Sequence, residues 1–219
     1  MVELATRAML GEKVRDLGYG TGLYRKPDYF AVKAPVFSFE KLMDVDTHLG
    51  PEMKSTGEVL GIASTLEEAL YKGMVAAGWK MIRPSETPDV LFSVRNSDLP
   101  ELPALARKFA DLGFTLYATS GNASTIERSG MTVTHVAKVH EDYNNNVMTL
   151  LESGKVAYVI STSAKGRDPV AESVKLRRLA VERDIDCLTS IDTANALADC
   201  LASSFSLANA SLVDINHMN

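Results

Sequence analysis

Residues 156–167 have the sequence VAYVISTSAKGR, an apolar run of five residues followed by a polar loop that contains one glycine. Such a run is typical of a strand buried on both faces of a sheet. A long helix is predicted after the loop, from about Val170 to Arg183. A strand that leads through a short loop into a helix is one half of a parallel crossover, so this stretch predicts an α/β domain.

The same alternation extends in both directions from this strand. Further strands are predicted at 90–95, 114–118, 133–136 and 187–189, and helices at 102–112, before Gly130, at 147–151 and at 191–201. Strands that alternate with helices form parallel sheets covered on both faces. We therefore predict a doubly wound parallel sheet of about five strands with helices on both faces.

The first 82 residues have a different pattern. A helix is predicted over 2–16, strands between 29 and 39 and near Val59, and a second helix from an N-cap at Ser64 to about Ala77. This small α+β segment offers little material for a core of its own. Residues 83–89 contain two prolines among polar residues and are interpreted as a linker, which leaves 90–219 as the second domain.

Composition excludes several classes of protein. The chain has 219 residues, 46% of them hydrophobic, and a formal net charge of −5. An acidic chain without a basic cluster is not expected to bind nucleic acid, and the sequence has no apolar run of membrane-spanning length. Two cysteines are too few for a structural zinc site, so we predict no metal, no membrane contact and a cytoplasmic protein.

Small polar residues follow three of the predicted strands. In open parallel sheets, ligands bind where the carboxyl ends of strands meet helix N-termini. Hydroxyls, backbone amides and a nearby cation are the components of a phosphate site, whereas the same residues also serve as ordinary helix caps and turns. These strand ends carry Ser93, then Thr119, Ser120 and Asn122, and then Ser161, Thr162 and Ser163.

Catalytic patterns are weaker. The sequence contains no phosphate-binding Walker loop and no nucleophile elbow. His135 and His140 flank Lys138, but their spacing does not suit zinc. The carboxylates at 141, 142 and 168 are isolated in loops, so no catalytic residue is predicted.

Two stretches resemble a known family. Residues 45–59, VDTHLGPEMKSTGEV, and residues 31–37, AVKAPVF, are similar to the large subunit of carbamoyl phosphate synthetase. The resemblance covers essentially all 219 residues. It implies that 1–82 are the end of the second ATP-grasp module, with 83–89 as the linker. Residues 90–219 would then be the C-terminal allosteric domain, of the methylglyoxal-synthase-like family, and the abrupt start is expected of a piece cut from a longer subunit.

The resemblance implies an effector site for UMP or another nucleotide, with its phosphate at the strand ends. Two positions depart from the common pattern: Asn122 replaces a hydroxyl, and Ser161 stands where asparagine is frequent. A lysine frequent after the first strand of this domain is also absent, with Leu99 in its place. The implied ligands are Ser93, Thr119, Ser120, Asn122, Lys138, Ser161, Thr162 and Ser163.

A second effector site, which binds ornithine in some relatives, is also implied. Glu172 and Thr189 fall at matching positions, whereas Ala34 stands where an acidic ligand is expected.

The family makes carbamoyl phosphate for pyrimidine and arginine biosynthesis from glutamine or ammonia, bicarbonate and two ATP. Its ATP and its Mg, Mn or K ions bind upstream of Met1, so this chain is expected to hold no cofactor and to be inactive alone. Implied partners are the rest of the large subunit, the glutamine amidotransferase small subunit and further copies of this domain. The alternative is a phosphate lyase similar to methylglyoxal synthase, although Asn144 and Pro169 replace its base and its histidine.

Overall fold

The computed structural model describes residues 1–23, 26–38, 51–82, 88–138, 145–162, 172–203 and 205–217. The chain divides into two compact units. One comprises Met1–Asp28 and the end of the chain from His217, and the other comprises Tyr29–Asn216. None of the helices within the described ranges is both long enough and apolar enough to cross a membrane.

The first unit contains one helix, α1 (Val2–Met9), and a 3-10 turn at Val14–Asp16. The prediction of a continuous helix over 2–16 is wrong. Gly11 adopts a φ of 101°, and its amide bonds to the carbonyl of Ala8 at 3.1 Å, which closes the helix. Glycine is the residue that takes this left-handed conformation without a steric penalty.

The second unit begins with an antiparallel pair, β1 (Phe30–Val36) and β2 (Gly57–Ala63), packed on α2 (Leu66–Ala76). A Cβ atom at Gly61 would lie 2.0 Å from the carbonyl oxygen of Ala69, so only glycine allows this approach of strand and helix. The N-cap of α2 is Thr65, whose hydroxyl accepts the amide of Glu68, and the predicted cap at Ser64 is wrong by one residue.

Five parallel strands form the main sheet, in the order β5-β4-β3-β6-β7. This confirms the predicted α/β class and the preceding small α+β segment. The strands are β3 (Asp89–Phe92), β4 (Thr115–Thr119), β5 (Thr134–Val136), β6 (Val156–Ile160) and β7 (Asp186–Leu188). The helices are α3 (Leu102–Asp111), α4 (Ser120–Arg128), α5 (Val147–Glu152), α6 (Glu172–Glu182) and α7 (Ile191–Ala202).

Apolar side chains cover both faces of this sheet. In the central strand β3, Val90 and Phe92 pack with α3, α4 and α7, whereas Leu91 packs with α5 and α6 on the opposite face. Alternate residues of a strand point to opposite faces, so a fully apolar strand needs helices on each side. The doubly wound arrangement predicted from the sequence is confirmed.

Candidate functional site

The parallel register brings three predicted site residues to one edge of the sheet. Phe92 at the end of β3 pairs with Ala118 of β4 and with Ile160 of β6. Each next residue, Ser93, Thr119 and Ser161, therefore occupies the carboxyl end of its strand beside the others. We call this edge of the sheet, where β3, β4 and β6 end, the carboxyl edge.

Side chains from both neighbouring loops hold the segment after β3. The amide oxygen of Asn122 accepts the Val94 N–H at 2.7 Å, and the Asn122 NH2 group donates to the Val94 carbonyl at 3.1 Å. The Thr162 hydroxyl accepts the Arg95 N–H at 3.0 Å. The strand predicted at 90–95 therefore ends at Phe92. The backbone groups of Val94 and Arg95 form hydrogen bonds with side chains and not with a neighbouring strand.

The hydroxyl of Ser161 is buried at this edge of the sheet. Ser161 is fully buried, and its side-chain oxygen has no hydrogen-bond partner within the described residues. Buried hydroxyls usually have a hydrogen-bond partner, so one without a partner can bind a ligand oxygen or a water molecule. Ser93, at the end of the intervening strand β3, is half-buried, and Thr119, at the end of β4 on its far side, is 5% exposed.

The N-terminus of α4 opens at the same edge. Thr119 is the N-cap residue, and its side chain makes no capping hydrogen bond. Ser120 and Gly121, the first two residues of the helix, are exposed. The first amides of a helix have no intrahelical partner, and together with the helix dipole they favour an anion. This helix end can therefore accept a phosphate group.

Sequence reasoning missed Asp98, which lies in a 3-10 turn just beyond β3. Its carboxylate accepts hydrogen bonds from Arg95 Nε at 2.8 Å and from Ser97 Oγ at 2.9 Å. Burial alone would raise the pKa of Asp98, but the hydrogen bonds from Arg95, Thr162 and Ser97 hold this pKa below its ordinary value. Asp98 therefore carries a negative charge at neutral pH and fixes the guanidinium of Arg95.

The remaining predicted residues are more dispersed. Lys138 is exposed and follows β5, whose Val136 pairs with Thr119 at the end of β4. Glu172 is the first residue of α6, and Thr189 follows β7; both are half-buried. The predictions on Ser163, His140, Asn144 and Pro169 lie outside the described residues.

The cysteines and His135 have surroundings that do not suit catalysis. Burial raises the pKa of Cys187 to about 12 and that of Cys200 to about 11, so both thiols stay protonated at neutral pH. The His135 ring lies 2.8 Å from a carboxylate oxygen of Glu127 on the surface. Within the described ranges no group of three His, Cys, Asp or Glu side chains could hold a metal ion.

A cavity of about 510 Å³ lies at the opposite edge of the sheet, where the strands begin. Asp89, Thr115, Tyr117 and Lys155 contribute its polar lining. The Oδ2 atom of Asp89 is buried without a hydrogen-bond partner in the described chain, and burial raises the pKa of this carboxyl group. We call the edge of the sheet where the strands begin the amino edge. No sequence pattern predicts a cavity there, because Asp89 is an isolated aspartate in the sequence.

Comparison with known proteins identifies relatives over most of the chain. The model of the MGS-like domain matches residues 101–189. The large chain of carbamoyl phosphate synthase from Lachnoclostridium phytofermentans is 44% identical over 201 residues, which are 92% of this chain and 18% of that relative. The corresponding large chain from Clostridium botulinum, strain Kyoto, is 43% identical over 91% of this chain and 18% of its own length.

A methylglyoxal synthase structure from Elizabethkingia anophelis is similar to 55% of this chain and 80% of its own, with a TM-score of 0.44 and 20% identity. The chain spans under a fifth of the length of the two large-chain relatives. Residues 101–189 are an MGS-like domain, within a chain that is similar over nine-tenths of its length to carbamoyl phosphate synthase large chains.

Proposed function

We propose that residues 90–219 are a regulatory domain that binds a nucleotide or phosphate effector at the carboxyl edge. The observation that carries the proposal concerns the described part of the chain: there the N-terminus of α4 has no side-chain cap, and the buried hydroxyl of Ser161 at the same edge has no hydrogen-bond partner. Both features favour an oxygen-rich anion. Ser93, Thr119, Ser120, Ser161 and Thr162 would line the site, with Ser163 and Lys138 beside them.

In the proposed site, Asn122 holds the backbone in place and does not contact the effector directly. Its amide group is buried, and both ends of it are bonded to the backbone of Val94. We assign it the task of holding the segment after β3 against the N-terminus of α4. The effector would then meet the backbone amides of α4 and the hydroxyls around Asn122.

The parent protein would be the ammonia-utilising large subunit of a glutamine-hydrolysing carbamoyl phosphate synthetase. Residues 1–82 would end its second ATP-grasp module, and ATP and its metal ions would bind elsewhere in the subunit. A glutamine amidotransferase subunit and further copies of this domain are the proposed partners, in the cytoplasm. An effector that favours one global state would shift distant sites by a coupling free energy of about 1–3 kcal/mol. Glu172 and Thr189 remain the proposed second effector site.

A thermal-shift titration with UMP, IMP, ornithine and inorganic phosphate tests the proposal. A ligand at about 100 times its Kd stabilises a protein by about 2.7 kcal/mol. Each kcal/mol raises the Tm of a chain this size by roughly 2–4 °C, so we expect a shift of about 5–10 °C for the effector. A shift with UMP well above that with phosphate supports a pyrimidine sensor. No shift with any nucleotide or phosphate contradicts the proposal.

Substitution of Lys138 tests where the phosphate group binds. Lys138→Ala should weaken the binding of UMP and of inorganic phosphate alike, by about tenfold, because it removes a charge from near the group they share. Lys155→Ala is the matched control, since Lys155 is an exposed lysine at the amino edge. Equal effects of the two variants would argue against a phosphate site at the carboxyl edge.

An activity assay separates the regulatory domain from a phosphate lyase. Elimination of phosphate from dihydroxyacetone phosphate needs a carboxylate base beside the substrate carbon. The resemblance puts an amide, Asn144, at the position of that base. We therefore expect no turnover to methylglyoxal by the purified chain, and substantial turnover would replace the regulatory proposal by an enzymatic one.

A further inference from the structure

The amino edge of the sheet carries a buried acid that the proposed function does not use. Asp89 is the first residue of the central strand β3, and it pairs with Thr115 of β4 and with Val156 of β6. Its N–H donates to the Lys155 carbonyl at 3.1 Å. The backbone therefore holds this aspartate in the middle of the edge, between the first residues of its two neighbouring strands.

The carboxylate of Asp89 has only part of the bonding that a buried charge needs. Asp89 is 5% exposed, and Thr115 donates a hydrogen bond to its carboxylate. The Oδ2 atom has no hydrogen-bond partner within the described residues, although buried charges in proteins are nearly always paired. Lys155 contributes its positive charge from a distance, since no ion pair joins the two side chains in the described part of the chain.

The cavity of about 510 Å³ at this edge has Asp89 in its lining. Binding sites for small molecules have volumes of about 300–1,000 Å³, so this cavity has room for one. Part of the lining is apolar and buried, and it consists of Pro88, Val156 and Ala157. Hydrocarbon can therefore pack beside the unpartnered carboxylate oxygen.

The polar part of the lining carries two opposite charges at different depths. Asp89 is buried, whereas Lys155 is exposed. Tyr117 is half-buried, and burial together with the negative charge of Asp89 raises the pKa of its hydroxyl, which stays protonated at neutral pH. A ligand complementary to this lining has a cation at its inner end, a hydrocarbon spacer and an anion at its outer end.

We propose that the amino-edge cavity binds a small zwitterion, with a cationic nitrogen at Asp89 and an anionic group at Lys155. The cationic nitrogen would give the Asp89 carboxylate a charge-assisted hydrogen bond, which is among the stronger ones in proteins. A buried acid without full compensation in a cavity is typical of a functional site. The cavity lies at the edge opposite the proposed effector site, so this inference does not depend on the function proposed above.

NMR titrations of the full chain with a series of ω-amino acids test the proposal. Glycine, β-alanine, γ-aminobutyrate and δ-aminovalerate carry the same two charges on spacers of increasing length, whereas butylamine and butyrate carry one charge each. We expect one zwitterion to bind with a Kd at least about tenfold lower than either single-charge compound, because it uses both charges of the lining. Equal Kd values for the zwitterions and butylamine, or no binding of any compound, overturn the proposal.

Substitutions show whether the zwitterion binds in this cavity. Asp89→Asn should raise its Kd by about tenfold or more, and Lys155→Ala by about threefold, because the exposed charge is screened by solvent. Asp111→Asn is the matched control, since Asp111 is an exposed aspartate at the end of α3 that does not line the cavity. An unchanged Kd in Asp89→Asn, or equal losses in Asp89→Asn and Asp111→Asn, overturns the proposal.

The Asp89 carboxyl carbon resonance gives a second readout. A bound cation should lower the pKa of Asp89, because a neighbouring positive charge favours the ionised form. Thr115, Tyr117 and Lys155 are the polar groups that act on this carboxylate or line the cavity with it, and they are the same in the free and bound protein. An Asp89 pKa that the saturating zwitterion does not lower contradicts the proposed contact.

Reciprocal lysine variants separate this inference from the proposed function. Lys138→Ala should leave the Kd of the zwitterion unchanged, and Lys155→Ala should leave the Kd of UMP unchanged. A zwitterion that responds to Lys138→Ala and not to Asp89→Asn binds at the other edge, which overturns this inference alone. Wild-type protein that binds the zwitterion but neither UMP nor phosphate overturns the proposed function and supports the inference.

Discussion

The two edges of the five-stranded sheet differ in what they offer a ligand. The amino edge has cavities of about 510 and 410 Å³, and a buried carboxylate lines the larger one. The carboxyl edge has hydroxyls, an uncapped helix N-terminus and an arginine held by a buried acid. The amino edge therefore offers volume around a buried acid, and the carboxyl edge offers groups that suit an anion.

The direction of the helices explains this difference. In a parallel sheet each connecting helix runs opposite to its strands, so helix N-termini gather at the carboxyl edge and C-termini at the amino edge. The helix dipoles therefore favour anions at the carboxyl edge and disfavour them at the amino edge, by about 0.3–1 kcal/mol per helix. This difference supports the proposal that a phosphate-bearing effector binds at the carboxyl edge and not in the cavities of the amino edge.

The largest effect on stability is expected at the carboxyl edge. Asn122→Ala leaves the N–H and the carbonyl of Val94 without partners beside a buried side chain. Each unsatisfied group costs about 1–3 kcal/mol, so the loss of two should lower the free energy of unfolding by about 2–6 kcal/mol. Urea denaturation measures this change. Asn122→Asp keeps the acceptor and should lose less than Asn122→Ala.

A loss below about 1 kcal/mol for Asn122→Ala would mean that water replaces the amide group. The carboxyl edge would then be an open surface, and the contrast between the two edges would disappear.

The sequence predicted the fold well because its signals are local. Apolar runs such as 156–160 and the helices between them specify strands, helices and a sheet covered on both faces. It did not specify the strand order, because β3 meets β6 across more than 60 residues of chain. The sequence also predicted the end of the first helix too late. Gly11 adopts a positive φ that ends the helix, and composition alone does not reveal this conformation.

The site was predicted less completely, because its decisive contacts are distant in sequence. Asn122 was predicted as a ligand from its loop, but its partner Val94 is 28 residues away. Arg95 and Asp98 were visible as an i, i+3 pair of opposite charge, yet such a pair is usually a solvated one. Only the folded chain shows that the acid is buried and that Thr162, 67 residues from Arg95, holds the backbone there.

Removal of the buried carboxylate of Asp89 at the amino edge is expected to stabilise the protein. Burial raises the pKa of Asp89, against the hydrogen bond from Thr115 and the charge of Lys155. The folded state therefore holds the proton more tightly than the unfolded state, and this group makes the protein less stable as the pH rises from the ordinary value of about 3.9. Asp89→Asn should raise the Tm at pH 7 by about 2–4 °C, and the gain should vanish near pH 3.

The test is a set of thermal melts of both proteins from pH 3 to pH 8. A lower Tm for Asp89→Asn at pH 7 would contradict the prediction, because it would show that the carboxylate charge is compensated. Affinity for UMP should be the same in both proteins, since Asp89 lies at the edge away from the proposed site.

The smallest effect is expected for Lys155→Ala. Lys155 is exposed, and its positive charge lowers the pKa of Asp89. Its loss should reduce stability at pH 7 by less than about 0.5 kcal/mol, as is usual for exposed charges. In the Asp89→Asn background the same substitution should have no effect, because the carboxylate it acts on is gone. A loss that persists in that background would mean that Lys155 stabilises the amino edge by packing its aliphatic chain and not by its charge.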